Sequence, residues 1–438
     1  MLSVIPFIGV LLSIALFPLF APSFWHRFEK LVLLFWGGAG LLVMWNFFPL
    51  PVFIHSLIHT LWSEYLPFIA VLFALFTIAG GIHLDLTLKN TPLMNVCFFM
   101  VASFFASFIG TTGASILFIR PLLHMNKNRF YKTHTVIFFI FMVSNAAGCL
   151  TPLGDPPLFM GYLLGVPFFW PFQNLWQPFL GVFGVLLFVY WVIDRYFLMR
   201  ESLMSTSDVS ADTTLAIQSS NHIDGKRNIL LLFVLIGTLL IAPFLPITEL
   251  AMISGVSVTV IDCVRLGVMI SLGCLSYAIT PHAIHTKQHF NFAPVYEVAR
   301  VFLCIFITLI PLNYALSGGN VFDSLLKMNM GISPQRLYFW LSGLFSGFLD
   351  NTPTYLVFFK LAGGNMVELT TTQKPILVAI SLGSVLMGAL TYIGNAPNFM
   401  VLSIAKQHGI KMPSFLGYMV WSFIILIPIF IMVSYLWL

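Results

Sequence analysis

Charge is what this chain has least of. Asp, Glu, Lys and Arg make up 8% of its 438 residues, against about 25% in soluble globular proteins. That scarcity excludes an ordinary soluble domain. Polar runs are nearly as rare: residues 200–228 form the only long one. Cysteine is sparse. Cys97, Cys149, Cys263, Cys274 and Cys304 lie in or beside apolar segments without metal-ligand or disulfide spacing, so they read as packing residues. The net charge of +5 resides in loops and makes no case for a nucleic-acid partner. A basic region ahead of the first apolar run is missing too, so residues 3–21 read as a retained helix rather than a signal peptide.

What abounds is apolar: 59% of the residues are hydrophobic, 46 of them Phe. This composition predicts an all-α polytopic membrane protein whose surroundings are the lipid bilayer. Apolar segments fall at 3–21, 30–48, 66–82, 93–123, 134–169 and 175–199. After the polar stretch they return at 229–246, 264–281, 297–316, 336–361, 375–405 and 414–438. The halves 1–199 and 229–438 therefore match segment for segment, with 200–228 as a cytoplasmic linker. The first two segments of each half lack internal breaks and are candidates for a scaffold.

Residues 144–160 read Ser-Asn-Ala-Ala-Gly-Cys-Leu-Thr-Pro-Leu-Gly-Asp-Pro-Pro-Leu-Phe-Met. Two glycines and three prolines do not fit a continuous helix. The helix must break, and in a membrane a break survives only where protein or a wet cavity covers it. Asp155 at that break points to an ion site. Residues 391–400, Thr-Tyr-Ile-Gly-Asn-Ala-Pro-Asn-Phe-Met, repeat residues 151–160 at an offset of 240, with Asn395 under Asp155.

The fourth segments are long and broken as well, at Ile109-Gly-Thr-Thr-Gly113 and Leu349-Asp-Asn-Thr-Pro353, again 240 apart. They read as re-entrant hairpins. Each half then has about five crossings plus a hairpin and a broken helix. An odd number of crossings inverts the second half, giving the inverted repeat common among secondary transporters. With the N-terminus outside, fourteen Lys and Arg fall on the inner face and five on the outer, with Arg300 inside a segment. That is the bias expected of a cytoplasmic face; the expected location is a cell inner membrane.

Most acids lie in loops or at segment ends; Asp155, Glu297 and Asp350 do not. An ionised carboxylate at mid-membrane costs about 2.5–3.5 kcal/mol on insertion scales, so a function or a compensating partner is expected. Asp155 and Asp350 are expected to share a cavity with Asn145, Thr151, Thr111, Thr112, Asn351, Thr352, Asn395 and Thr391. Such hard oxygen ligands suit a small cation, with Asp155 and Asp350 as Na+ ligands, and a proton can take the ion's place on paired acids. The structural alternative for both aspartates is helix capping; Asn395, Thr111 and Thr112 could serve only to satisfy backbone groups at the breaks. Glu297 and Arg300, three apart on one helix face, are expected to pair, either structurally or as a pH-sensing acid tuned by its arginine. His282, His285 and His289 read as a solvated loop or pH sensor more readily than as a metal site. No cofactor is expected beyond transported Na+ and H+.

These residues carry a resemblance. Ser144 to Pro157, Phe348 to Thr354 and Tyr392 to Asn398 resemble the motifs of the ion transporter superfamily, which includes NhaD-type sodium/proton antiporters, arsenite permeases and divalent-anion/sodium symporters. The nearest likeness is to citrate-transporter-like (CitMHS-like) membrane proteins. Asn145, Gly154, Asp155, Asp350, Asn351 and Pro353 fall on NhaD-like positions. Ala147 where a glycine is usual, and Pro156-Pro157 after the aspartate, depart from that pattern. The resemblance implies secondary transport, most directly Na+/H+ antiport, by a homodimer with a scaffold and a moving transport unit. Sodium- or proton-coupled uptake of citrate or another carboxylate is the alternative. An intramembrane aspartyl protease using Asp155 and Asp350 is a third reading, and it matches its motif only at Gly154-Asp155.

Overall fold

The computed structural model describes residues 2–86, 88–205, 222–246, 248–288, 290–317 and 333–438. The middle of the polar linker and His289 lie outside the described residues.

The first half opens with α1 (Ile5–Phe20) and α2 (Pro22–Phe47). α3 (Leu50–His59) passes through a π turn at Thr60–Tyr65 into α4 (Leu66–Gly80), forming one rod of 31 residues. The segment expected from residue 66 therefore begins at Leu50. After β1 (His83–Asp85) come α5 (Pro92–Met125), α6 (Thr133–Met142), a 3-10 turn at Ala146–Leu150, α7 (Pro156–Leu163) and α8 (Trp170–Ser205).

The second half continues with β2 (His222–Asp224), α9 (Lys226–Ile241), β3 (Glu249–Ile253), β4 (Val256–Thr259), α10 (Val260–Ile279), α11 (His282–Lys287) and α12 (Ala293–Ser317). It ends with α13 (Pro334–Leu349), α14 (Asn351–Leu361), α15 (Met366–Thr370), α16 (Lys374–Leu386), a 3-10 turn at Met387–Leu390, α17 (Ala396–Gln407) and α18 (Phe415–Leu436). Two antiparallel ribbons form, β1 with β2 and β3 with β4.

Among the described residues eight helices are long and apolar enough to cross a membrane, so the chain is an all-α polytopic membrane protein. Length alone would count α5 as one crossing, but it doubles back. Asn95 and Asn126 exchange amide hydrogen bonds at 3.1 and 2.9 Å although 31 residues separate them. A straight helix would hold them about 46 Å apart. The fold-back centres on Gly110, at φ 78° and ψ 150°, and it brings Phe98 and Phe105 each to 5.8 Å from Phe118.

α13 and α14 form the second hairpin. Its turn is Asp350, at φ 99° and ψ 144°, and Tyr338 at its start donates to the Leu361 carbonyl at its end, 3.2 Å away. The two turns thus share one backbone conformation at the 240-residue offset.

The helix pairs expected as scaffold are each mated to the other half. α1 and α2 pack on α12, while α9 and α10 pack on α4. α2 shows Leu31, Leu34, Phe35 and Leu42 to the outside, and α18 shows Leu416, Val420 and Ile424, as faces solvated by lipid require. At the centre stand α6, buried from His134 to Met142, and α16, buried from Leu377 to Leu386. Both run directly into the breaks.

Candidate ion site

The two breaks are built alike. Thr151 and Thr391 leave their 3-10 turns extended, at φ −138° and −134°. Asp155 and Asn395 then enter α7 and α17 at φ −144° and −150°. Thr151 Oγ1 donates to the Ser107 carbonyl and accepts from Leu153 N at 3.2 Å. Thr391 Oγ1 donates to the Gly347 carbonyl at 2.6 Å and accepts from Ile393 N at 3.2 Å. Ser107 and Gly347 are themselves 240 apart, so each threonine ties its break to the neighbouring hairpin. Glycine is needed where the chain crosses itself: a Cβ on Gly154 would stand 2.5 Å from the Gly148 oxygen, and one on Gly394 would stand 2.6 Å from the Gly388 oxygen.

Asp155 is buried where these parts meet. Thr111 Oγ1 donates to its Oδ1 at 2.9 Å, and Asn351 Nδ2 donates to its Oδ2 at 2.8 Å. Thr111 and Asn351 directly follow the two turn residues, so the same tip position of each hairpin grips the same carboxylate. Asn395 Nδ2 lies 3.5 Å from Oδ1 and also donates to Asn145 Oδ1 at 3.2 Å. Asn145 in turn donates to the Ile140 carbonyl at 2.8 Å and to Asn398 Oδ1 at 2.7 Å.

Asp350 caps α14 by accepting from Thr352 N at 3.2 Å. Beside it the Thr352 hydroxyl is buried without a partner. Among the described residues no Lys, Arg or His forms an ion pair with Asp155 or Asp350. The half-helix after Gly110, together with α7, α14 and α17, starts here; α7 opens on Pro156-Pro157 and offers no N–H in its first two positions, so inward N–H groups come from the other three.

The structure thus gathers Asp155, Asn145, Asn351, Asn395 and Thr111 into one network, with Thr151 and Thr391 clamping its walls and Asp350 and Thr352 at the second tip. Thr112 does not join it; it lines a small apolar recess with Phe68, Leu75 and Phe159. The partner found for Arg300 is Glu29 of α2, at 3.4 Å, and this pair sits where α12 meets α2, on the scaffold side. His282 and His285 occupy a short helix rather than a loop. His285 packs against Tyr277 and Phe290 with ring centres 5.1 and 4.9 Å apart, and no group of three metal-ligating side chains forms among the described residues.

Several residues escape a reading by segments. Asn398 stands one turn into α17 where the first copy has Leu158, a polar-for-apolar exchange that marks it in the repeat. Ser346 Oγ stands 2.6 Å from both Asn351 Oδ1 and the Ser384 carbonyl, with one proton to give to either, beside the amide that holds Asp155. Glu64 lies inside the Leu50–Gly80 rod, 3.9 Å from His59, because the π turn extends that helix past the expected boundary. Arg129 is not a free loop charge: it bonds Asp194 at 2.8 Å and Glu201 at 3.0 Å, and His134 reaches the same Asp194 at 2.9 Å.

Over residues 1–438 the sequence matches the family described as "Putative citrate transport". The chain belongs to that family. Membership in a transport family, with the helices above, makes it a multi-pass membrane transporter and bears out the CitMHS-like resemblance. No curated protein matches the sequence.

Proposed function

We propose that this transporter exchanges Na+ for H+ by alternating access at the Asp155–Asp350 centre, in the inner membrane with its N-terminus outside. One observation carries the reading: Asp155 is a buried carboxylate held only by neutral donors from both hairpin tips. A buried charge without a counter-charge is costly, and a cation or a proton supplies what is missing. The unpartnered Thr352 hydroxyl beside Asp350 offers a further oxygen ligand. Everted vesicles carrying wild type should dissipate a pH gradient on addition of NaCl without citrate, and Asp155→Asn should abolish that response. Full Na+-driven exchange in the variant would falsify the assignment.

A second reading, cation-coupled citrate transport, has its own support. The family description names citrate, and the helix N-termini converging on the centre favour an anion. A flux that requires citrate and is not triggered by NaCl alone would replace antiport with this reading.

A further inference from the structure

A second feature lies away from the ion site, on the face that carries most of the lysines and arginines. β1, the end of α5, the loop after it and the end of α17 enclose a solvent-open basin of about 340 Å³. Arg120, Lys127 and Lys132 line it together with His83, His124 and His408, and Asp85 is its one acid. With the histidines neutral, three cations against one acid leave the lining at +2.

These cations are unspent. Among the described residues none of the three enters an ion pair: Arg120 Nη1 donates to the neutral Gln288 Oε1 at 3.1 Å, and Lys132 Nζ donates to the Lys127 carbonyl at 3.1 Å. Arg129, on the same loop, shows the contrast, since Asp194 and Glu201 saturate it. Burial, first of all, holds the His83 imidazole below its usual range; Lys287 and Arg120 lower it further, while Asp224 and Asp85 oppose them. Leu84, Pro121, Leu123 and Ile410 form the rest of the wall and suit a carbon skeleton between charged ends.

We propose that this basin binds a small polycarboxylate, the anion of a di- or tricarboxylic acid. Its volume lies in the range of small-molecule sites, about 300–1,000 Å³. The Arg120 guanidinium suits a planar carboxylate, and the two lysines act as point charges for others. The basin sits at the far end of helices that begin at the ion site. Arg120 is about 14 Å along α5 from Thr111, and His408 caps α17, which starts at Asn395. The site stands whether or not Asp155 exchanges Na+.

The test is calorimetric titration of the purified full-length protein in phosphatidylcholine nanodiscs, with citrate, acetate and inorganic phosphate at equal ionic strength. Citrate should bind saturably and at least tenfold more tightly than acetate. Lys127→Ala/Lys132→Ala, and separately Arg120→Gln, should weaken citrate at least tenfold, while Lys374→Gln, at an exposed lysine that does not line the basin, should leave its affinity within twofold. No saturable citrate binding to wild type, undiminished binding in both basin variants, or equal affinity for acetate would overturn the proposal. Tighter binding of phosphate than of citrate would overturn the polycarboxylate class. Loss of citrate binding in Asp155→Asn alone would move the anion to the helix breaks, whereas failure of Na+-driven exchange with citrate binding intact would leave the basin standing.

Discussion

Gly110 and Asp350 occupy the same backbone conformation, yet only one of them is a glycine. At φ 99° the aspartate sits in a region costing about 1–3 kcal/mol for a residue with a Cβ, and its side chain offsets part of that by capping Thr352 N. Asp350→Ala loses the cap and keeps the strain, whereas Asp350→Gly loses the cap and sheds the strain. The glycine variant should therefore unfold at a higher temperature than the alanine variant, by about 1 kcal/mol of stability, in a melting scan of detergent-purified protein. Equal melting would mean that the turn relaxes. The strain could not be read from sequence, because an Asp-Asn-Thr-Pro run also suits an ordinary helix cap. What was legible were the residues that both carry a polar group and stand at a break: Asp155, Asn145, Asn351 and Asn395. Thr112 was not separable from Thr111, since consecutive residues on a tip differ only in the direction their side chains face.

The elements were legible to the extent that glycine and proline punctuate them. The breaks at 151–155 and 391–395, and the turns at Gly110 and Asp350, fall where the chain chemistry demands. The π turn was not legible, because Thr60–Tyr65 contains no residue that forces it, and so Glu64 was left outside its helix. The hairpin in α5 can be trapped chemically. In a background without the native cysteines, Asn95→Cys/Asn126→Cys should cross-link on mild oxidation, since the two asparagines touch. Failure to cross-link, with both thiols reactive, would restore a straight crossing. The ribbon of β1 with β2 joins residues far apart in sequence, and nothing local in either three-residue strand announces it.

For the whole molecule, charge is the external coordinate. Lys127 is exposed in the basin's lining, and Lys374 is exposed at the start of α16. In intact cells a membrane-impermeant thiol reagent should label Lys374→Cys, while Lys127→Cys should react only after permeabilisation. Labelling of both from one side would contradict the orientation read from the loop charges. The mating of each scaffold pair with the other half, α12 on α1 and α2, and α4 on α9 and α10, is a long-range packing choice, and no periodicity in a uniformly apolar helix specifies it.

One consequence follows from the grip on Asp155. Its two oxygens are shared between hairpins belonging to different halves, and a hydrogen bond to a charged group is worth about 1.5–3 kcal/mol. A bare carboxylate therefore works as a rivet: parting the hairpins means tearing one such bond with nothing to replace it. On the proposed exchange, a proton on the carboxylate would weaken these charge-assisted bonds and loosen the rivet, so the hairpins would part more readily when it is loaded than when it is bare. Tight stoichiometry, with little futile leak, would then be a property of one side chain's neighbours rather than of any separate gate.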